Sequence, residues 1–289
     1  TLGPPATGPL GNLVGVSDAS SRATGAFGDP NYFGVFEATA ISTSIAWLVS
    51  TRSLRSRLVL LGASSVIALA LLVALSRGAL LAVLAGVLTL VFARSVRAGI
   101  LAIGVAALVV FIAYPLFVQW RLAIDFGAPS AQAYAALAQS DQARLEAGLA
   151  GPQLFASAPL FGIGFGHFFY MSEWYVGFPI DAHDWYVNVL AEQGIVGVCL
   201  WIPMLAAIAG ALYRVSRSPR SLGYAVLAAY AVGCVSLEPP DSVQTSAFAV
   251  IVIVAAVVGD WTGLPSMAPK PPEVRLGNRG QSARNRRVL

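Results

Sequence analysis

The sequence predicts an all-α protein: a polytopic membrane bundle of about seven transmembrane helices with one long extracytoplasmic loop carrying short helices. Composition is the first observation. Of 289 residues, 57% are hydrophobic and only 11% charged, whereas a water-soluble domain carries about a quarter charged residues. So little charge cannot cover a hydrated surface, but it suits helices that face lipid. The second observation is length, because the apolar stretches approach the roughly 20 residues that cross a hydrocarbon core. The third is charge placement. All but four of the 18 Lys and Arg fall in alternate loops and in the C-terminal tail.

Residues 1–32 form a Gly/Pro/Ser-rich lead that ends in Arg22-Ala23-Thr24-Gly25-Ala26-Phe27-Gly28-Asp29-Pro30-Asn31. The apolar stretches 33–50, 58–75, 79–93 and 98–118 then predict four helices in two hairpins. Only Ser76-Arg77-Gly78 interrupts 58–93. A single helix over that region would be roughly 54 Å long at 1.5 Å per residue, far more than a bilayer is thick. Two helices with a tight turn at Arg77 are therefore expected. Residues 119–185 form the long loop, too long for a plain connector. Within it, Ser140-Asp141 is expected to cap a short helix carrying Leu145 and Leu149 on one face, and Gly151-Pro152 to end or kink it. Three more stretches, 186–213, 221–237 and 243–259, complete the bundle, which spans 33–261 in all. A Pro- and Arg-rich tail at 262–289 is expected to be disordered. Cys199 and Cys234 fall inside predicted helices and are expected to pack as small hydrophobes.

The basic loops hold Arg52, Arg55 and Arg57; Arg94 and Arg97; and Arg214, Arg217 and Arg220. By the positive-inside rule these loops and the tail are cytoplasmic, which puts the N-terminus and the long loop outside. Thr1 is not an initiator Met and no signal peptide precedes the first span. The chain is accordingly expected to be the C-terminal part of a longer protein with an odd number of upstream spans. The basic balance reads as topology and lipid-headgroup contact, with membrane lipids as partners and no nucleic acid.

Four basic residues remain outside: Arg22, Arg77, Arg121 and Arg144. A guanidinium offers a permanent charge and a planar fork of donors that fits phosphate. It can equally cap a helix end, snorkel to headgroups or pair with an acid, and Arg121 is the weakest candidate for a binding role. The two histidines, His167 and His183, both lie in the long loop. His183 stands in Asp181-Ala182-His183-Asp184-Trp185-Tyr186, where imidazole can take a proton near neutral pH and Asp181 or Asp184 can orient it. Two histidines without carboxylates at ligand spacing predict no metal. Gly162-Ile163-Gly164-Phe165-Gly166 follows no parallel strand, so it is expected to be a flexible turn approaching membrane or substrate, and no nucleotide cofactor is expected. Glu37 and Glu192 sit near the outer ends of spans, where ionisable groups are costly. Hydrogen bonding is as good a reading for them as catalysis.

Taken in order, these pieces resemble the O-antigen ligase and polymerase superfamily. Arg22-x-x-Gly25-x-Phe27-x-Asp29-Pro30-Asn31 stands before a span and Ser76-Arg77-Gly78 between two spans. In the loop, Arg144 is followed by Pro159-Leu160-Phe161-Gly162-Ile163-Gly164-x-Gly166-x-Phe168, then by Ala182-His183-Asp184-Trp185-Tyr186 and by Leu190-x-Glu192-x-Gly194-Ile195-x-Gly197. The resemblance covers about 22–215. It implies a metal-independent, inverting glycosyltransferase of the bacterial plasma membrane, acting at the extracytoplasmic face. The donor would be a glycan on undecaprenyl diphosphate and the acceptor a glycan or lipid hydroxyl. His183 would be the general base, Arg22, Arg77 and Arg144 would bind the diphosphate, and Asp184, Glu192 and Asn31 would support the site. Asp184 stands where such proteins often have Asn, an added negative charge expected to raise the His183 pKa. A transporter or flippase of lipid-linked polysaccharide is the alternative class. It would place ionisable groups deep in several spans, whereas here they gather at the outer rim.

Overall fold

The computed structural model describes residues 22–215, 217–235 and 243–261, and its regular elements are helices. A 3-10 turn at Gly25–Phe27 leads into α1 (Pro30–Ser50), α2 (Leu54–Ala74), α3 (Arg77–Phe92) and α4 (Val96–Phe126). The loop region supplies α5 (Ala131–Ser157) and α6 (Phe168–Val176). Then come α7 (Trp185–Arg214), α8 (Arg217–Gly233) and α9 (Val243–Trp261). The lead to residue 21 and the tail from 262 lie outside the described residues.

A helix stands at each of the seven apolar stretches. Four of them, α1, α2, α4 and α7, are both long and apolar enough to cross a membrane, while α3 and the Ser246–Val257 part of α9 are apolar but shorter. Turns begin where the sequence offers caps. Ser53, Ser76, Ser95 and Ser130 each accept a backbone N–H at the start of α2, α3, α4 and α5, satisfying one of the orphan donors of a first turn. The 58–93 stretch breaks as expected. Leu75 adopts a left-handed φ of 51° and Ser76 restarts the chain as α3.

Helices α1, α2, α3 and α8 pack together, and small residues set their spacing. A Cβ at Gly86 on α3 would overlap the Ser42 hydroxyl of α1 and lie 3.2 Å from the Ala225 carbonyl of α8. Such close approach is how membrane helices gain contact area when lipid removes most of the hydrophobic drive. Ile41, Leu71 and Ala79 form one buried cluster, and Ala46, Leu90 and Ala225 another. Helix α4 leans mainly on α3, with a smaller contact to α5, and leaves Leu101, Phe111 and Leu116 exposed, as a lipid-facing surface does. Of the two cysteines, Cys234 is buried but Cys199 lies on an exposed face of α7, against expectation.

Two loop expectations are corrected. α4 continues to Phe126 through Pro115, so it spans 31 residues and about 46 Å. Residues 119–126, expected in the loop, continue the helix beyond the apolar stretch 98–118. The loop helix is longer too. Ser130, not Ser140, caps it, and Gly151-Pro152 sits inside its 27 residues. Tertiary packing overrides the local break. Ala147, Ala150 and Leu154 are buried, and a Cβ at Gly151 would overlap Val187 of α7.

Candidate functional site

The ends of five helices meet where the lead enters the fold. Arg22 is buried and ties that junction together, donating from Nε to the Ala74 carbonyl at 2.9 Å and from Nη2 to Asn31 Oδ1 at 3.1 Å. Asp29 caps α1, accepting from the N–H groups of Asn31 and Tyr32. Arg77 opens α3 and reaches the loop helix, donating from Nη1 to Asp141 Oδ2 at 2.8 Å and from Nη2 to Asp141 Oδ1. Arg121 at the end of α4 pairs with Asp125 one turn on, at 3.3 Å. Arg144 projects from α5 one turn beyond Asp141.

Arg144 differs from the others. Among the described residues it makes no hydrogen bond or ion pair, although it is half-buried. Burial lowers its pKa, and Arg121 and Arg77 lower it further, against opposing pulls from Asp141 and Asp29. Arg22 feels the same field. Burial, then Arg121, hold its pKa down to about 10. Four guanidiniums thus share one space with three carboxylates, Asp29, Asp125 and Asp141. An unpaired cation in such a place has a strong preference for an anion.

His183 joins this cluster from the other side. Its φ of 51° is left-handed, a strained conformation for a non-glycine residue that costs on the order of 1–2 kcal/mol. Among the described residues nothing hydrogen-bonds its ring. Burial first, and Arg144 second, hold its pKa down to about 4, while Asp29 pulls upward. Two expectations change here. Asp184 does not orient the imidazole, because its Oδ1 accepts from the N–H groups of Tyr186 and Val187 and caps the first turn of α7. Nor does Asp184 raise the histidine. The carboxylate that acts on His183 is Asp29, from the far end of the sequence.

Glu192 lies apart from these charges and organises the loop. It sits in a π-helical turn of α7, Val189–Gln193, and is buried. Its Oε2 accepts from Gly166 N at 3.0 Å and its Oε1 from Phe168 N at 2.8 Å. Its own carbonyl accepts from Gly164 N, and that of Ala191 from Ile163 N. The glycine loop is therefore a fitted collar around the start of α7, not a flexible turn. Gly162 has a φ of 71°, and any Cβ there would overlap the backbone of Glu192. His167 is exposed on this collar, and Glu37 is buried within α1, outside the set of charges acting on Arg22, Arg144 and His183.

The structure thus brings Arg22, Arg77, Arg144, His183 and Asn31 to one junction and assigns Asp184 and Glu192 to holding backbone. Sequence reasoning missed Asp29, Asp141 and the full weight of Arg121. The i,i+4 spacing of Arg121 and Asp125 was the available signal. Comparison with known proteins bears on this region. The O-antigen ligase family model matches residues 60–202, a stretch that holds Arg77, Arg121, Asp141, Arg144, His183 and Glu192. Arg22, Asp29 and Asn31 precede the matched stretch. No curated protein and no solved structure matches the chain.

Proposed function

The chain is a member of the O-antigen ligase/polymerase superfamily through residues 60–202, and from that premise we propose that it transfers a glycan from undecaprenyl diphosphate to an acceptor hydroxyl. Membership makes it a membrane enzyme of surface polysaccharide assembly. The observation that carries the finer reading is a half-buried imidazole in the field of a half-buried guanidinium, Arg144, that has no ion pair among the described residues. Arg144 acts electrostatically on His183, and among the described residues neither side chain makes a hydrogen bond or ion pair.

In this reading the diphosphate binds Arg144, whose donors meet no acceptor among the described residues. Arg77 joins when it exchanges Asp141 for phosphate oxygens, since both present anionic oxygens to the same fork. Arg22, held by Ala74 and Asn31, adds charge from behind. The acceptor oxygen attacks the anomeric carbon, its proton passes to His183, and the bond to the diphosphate breaks on the opposite face. The arginines stabilise the charge that builds on the departing diphosphate. Donor binding also activates the base. Negative charge at Arg144 cancels the cation that depresses His183, so the imidazole becomes a stronger proton acceptor once the site is filled.

The reaction runs at the extracytoplasmic face of the bacterial plasma membrane, with the Arg-rich loops and the tail cytoplasmic. The arrangement supports this, because the arginine-rich turns and the His183 cluster lie at opposite ends of the helices. Binding of an undecaprenyl-diphosphate glycan to the reconstituted full chain tests the assignment of Arg144. Arg144→Gln should weaken binding at least tenfold, given the roughly 1.5–3 kcal/mol of a hydrogen bond to a charged group. Unchanged binding would remove Arg144 from the site.

A further inference from the structure

The collar and α6 present a surface that the transfer site does not use. Across residues 159–180 Glu173 is the single formal charge. Phe168 and Ser172 face inward on α6 and are fully buried, and Ser172 Oγ accepts from Ile180 N to fold the next segment back. The outward side carries Tyr170, 67% exposed, and Trp174, 84% exposed. Leu160, Phe161 and Phe165 are exposed to a similar degree on the collar itself. An apolar surface of this size on one short segment calls for a covering partner.

The neighbourhood says what the partner is. The Pro159 and Leu160 carbonyls accept from Ile195 N and Val196 N, at 2.9 and 3.1 Å. Leu160 and Phe161 therefore lie against a candidate membrane span, α7, just beyond its π-helical turn, where its own Ile195, Val196 and Leu200 are exposed. The collar surface is continuous with the lipid-facing side of α7. Leu160, Phe161 and Phe165 have no polar atom with which to hold a sugar. Tyr170 and Trp174 pair an apolar ring with one polar handle, the combination that settles at a bilayer's headgroup level.

We propose that the collar and α6 form an aromatic anchor seated in the outer leaflet of the bilayer, with Leu160, Phe161, Phe165, Tyr170 and Trp174 as its lipid-contacting residues. The anchor fixes the height of the loop. His183 begins only seven residues after α6 ends, and Glu192 ties the collar to α7. The loop cannot ride up into water without breaking those bonds. This inference rests on membrane residence alone and stands or falls separately from the transfer reaction.

Fluorescence of the full chain in phosphatidylcholine/phosphatidylglycerol proteoliposomes tests it. The difference between wild type and Trp174→Phe isolates the Trp174 emission. Trp174 is exposed, so the substitution disturbs little packing. A second reporter, Phe165→Trp in the Trp174→Phe background, reads the collar independently. Both signals should be quenched by lipids brominated high on the acyl chain, less by lipids brominated near the chain end, and little by aqueous iodide. Quenching of either reporter by iodide alone would mean a water-facing or glycan-binding surface and would overturn the proposal. Quenching by neither agent would mean burial against a second protein copy and would overturn it equally.

Discussion

Acid titration of the transfer rate reads His183 directly. Its pKa is held down to about 4 from 6.5, by burial first and by Arg144 second. At pH 5 an imidazole with a pKa of about 4 is about 90% neutral, and one at 6.5 only about 3%. The free protein therefore keeps roughly thirtyfold more neutral imidazole at that pH than an ordinary histidine would allow. kcat/KM reports groups in the free enzyme and kcat those in the complex. The acid limb of kcat/KM should thus bend near pH 4, and that of kcat at a higher pH, because the bound diphosphate offsets Arg144. Arg144→Gln should move the kcat/KM limb upward, yet short of 6.5, since burial is the larger cause and remains. The assay is transfer by the reconstituted chain at saturating and limiting donor across pH 3.5–8. A wild-type kcat/KM limb at 6.5, or no displacement in Arg144→Gln, would refute the electrostatic coupling. Stability follows the same sign. The unfolded chain takes this proton at about 6.5 and the folded one only near 4, so the His183 contribution to stability is full above 6.5 and is lost as pH falls to 4.

Further outcomes follow from the contacts. Glu192→Ala removes the acceptor for two loop N–H groups, the buried one of Phe168 and the part-buried one of Gly166, at about 1–3 kcal/mol for the buried donor and less for the other. It should lower the thermal unfolding temperature in detergent well below that of Glu192→Gln, which keeps one acceptor oxygen; equal melting of the two would discredit the collar's dependence on the carboxylate. Asp141→Asn frees the Arg77 fork. The half-exposed pair contributes at most about 1 kcal/mol to stability, so melting should barely change while the donor KM falls; a raised KM would mean that Asp141 positions Arg77 instead of competing for it. Gly86→Val places branched carbons against Ser42 and the Ala225 carbonyl and should cost about 1–3 kcal/mol, read as reduced folded yield in membranes. Normal yield would contradict the close approach of α1, α3 and α8.

Helix positions were legible in the sequence because apolar length and serine caps both mark them, and the break at Arg77 follows from bilayer thickness alone. The loop was not. Ser130 and Ser140 are equally good caps by residue type, and only packing of Ala147, Ala150 and Leu154 decides that α5 starts at the first and runs through Pro152. At the site, guanidiniums could be listed but their partners could not. Asp184 stands next to His183 in sequence, yet its carboxylate turns to the following N–H groups. Asp29 acts on the same histidine from about 150 residues away. Adjacency in sequence gave the wrong carboxylate because a helix cap needs its acid just there.

The most direct measurement is single-turnover glycan transfer by the full chain in proteoliposomes, with an undecaprenyl-diphosphate glycan donor, comparing wild type with His183→Ala while donor binding is followed in parallel. Loss of a general base should slow transfer by about 10²–10⁴-fold and leave donor binding in place, because the arginines remain. Transfer by His183→Ala at the wild-type rate would contradict the account.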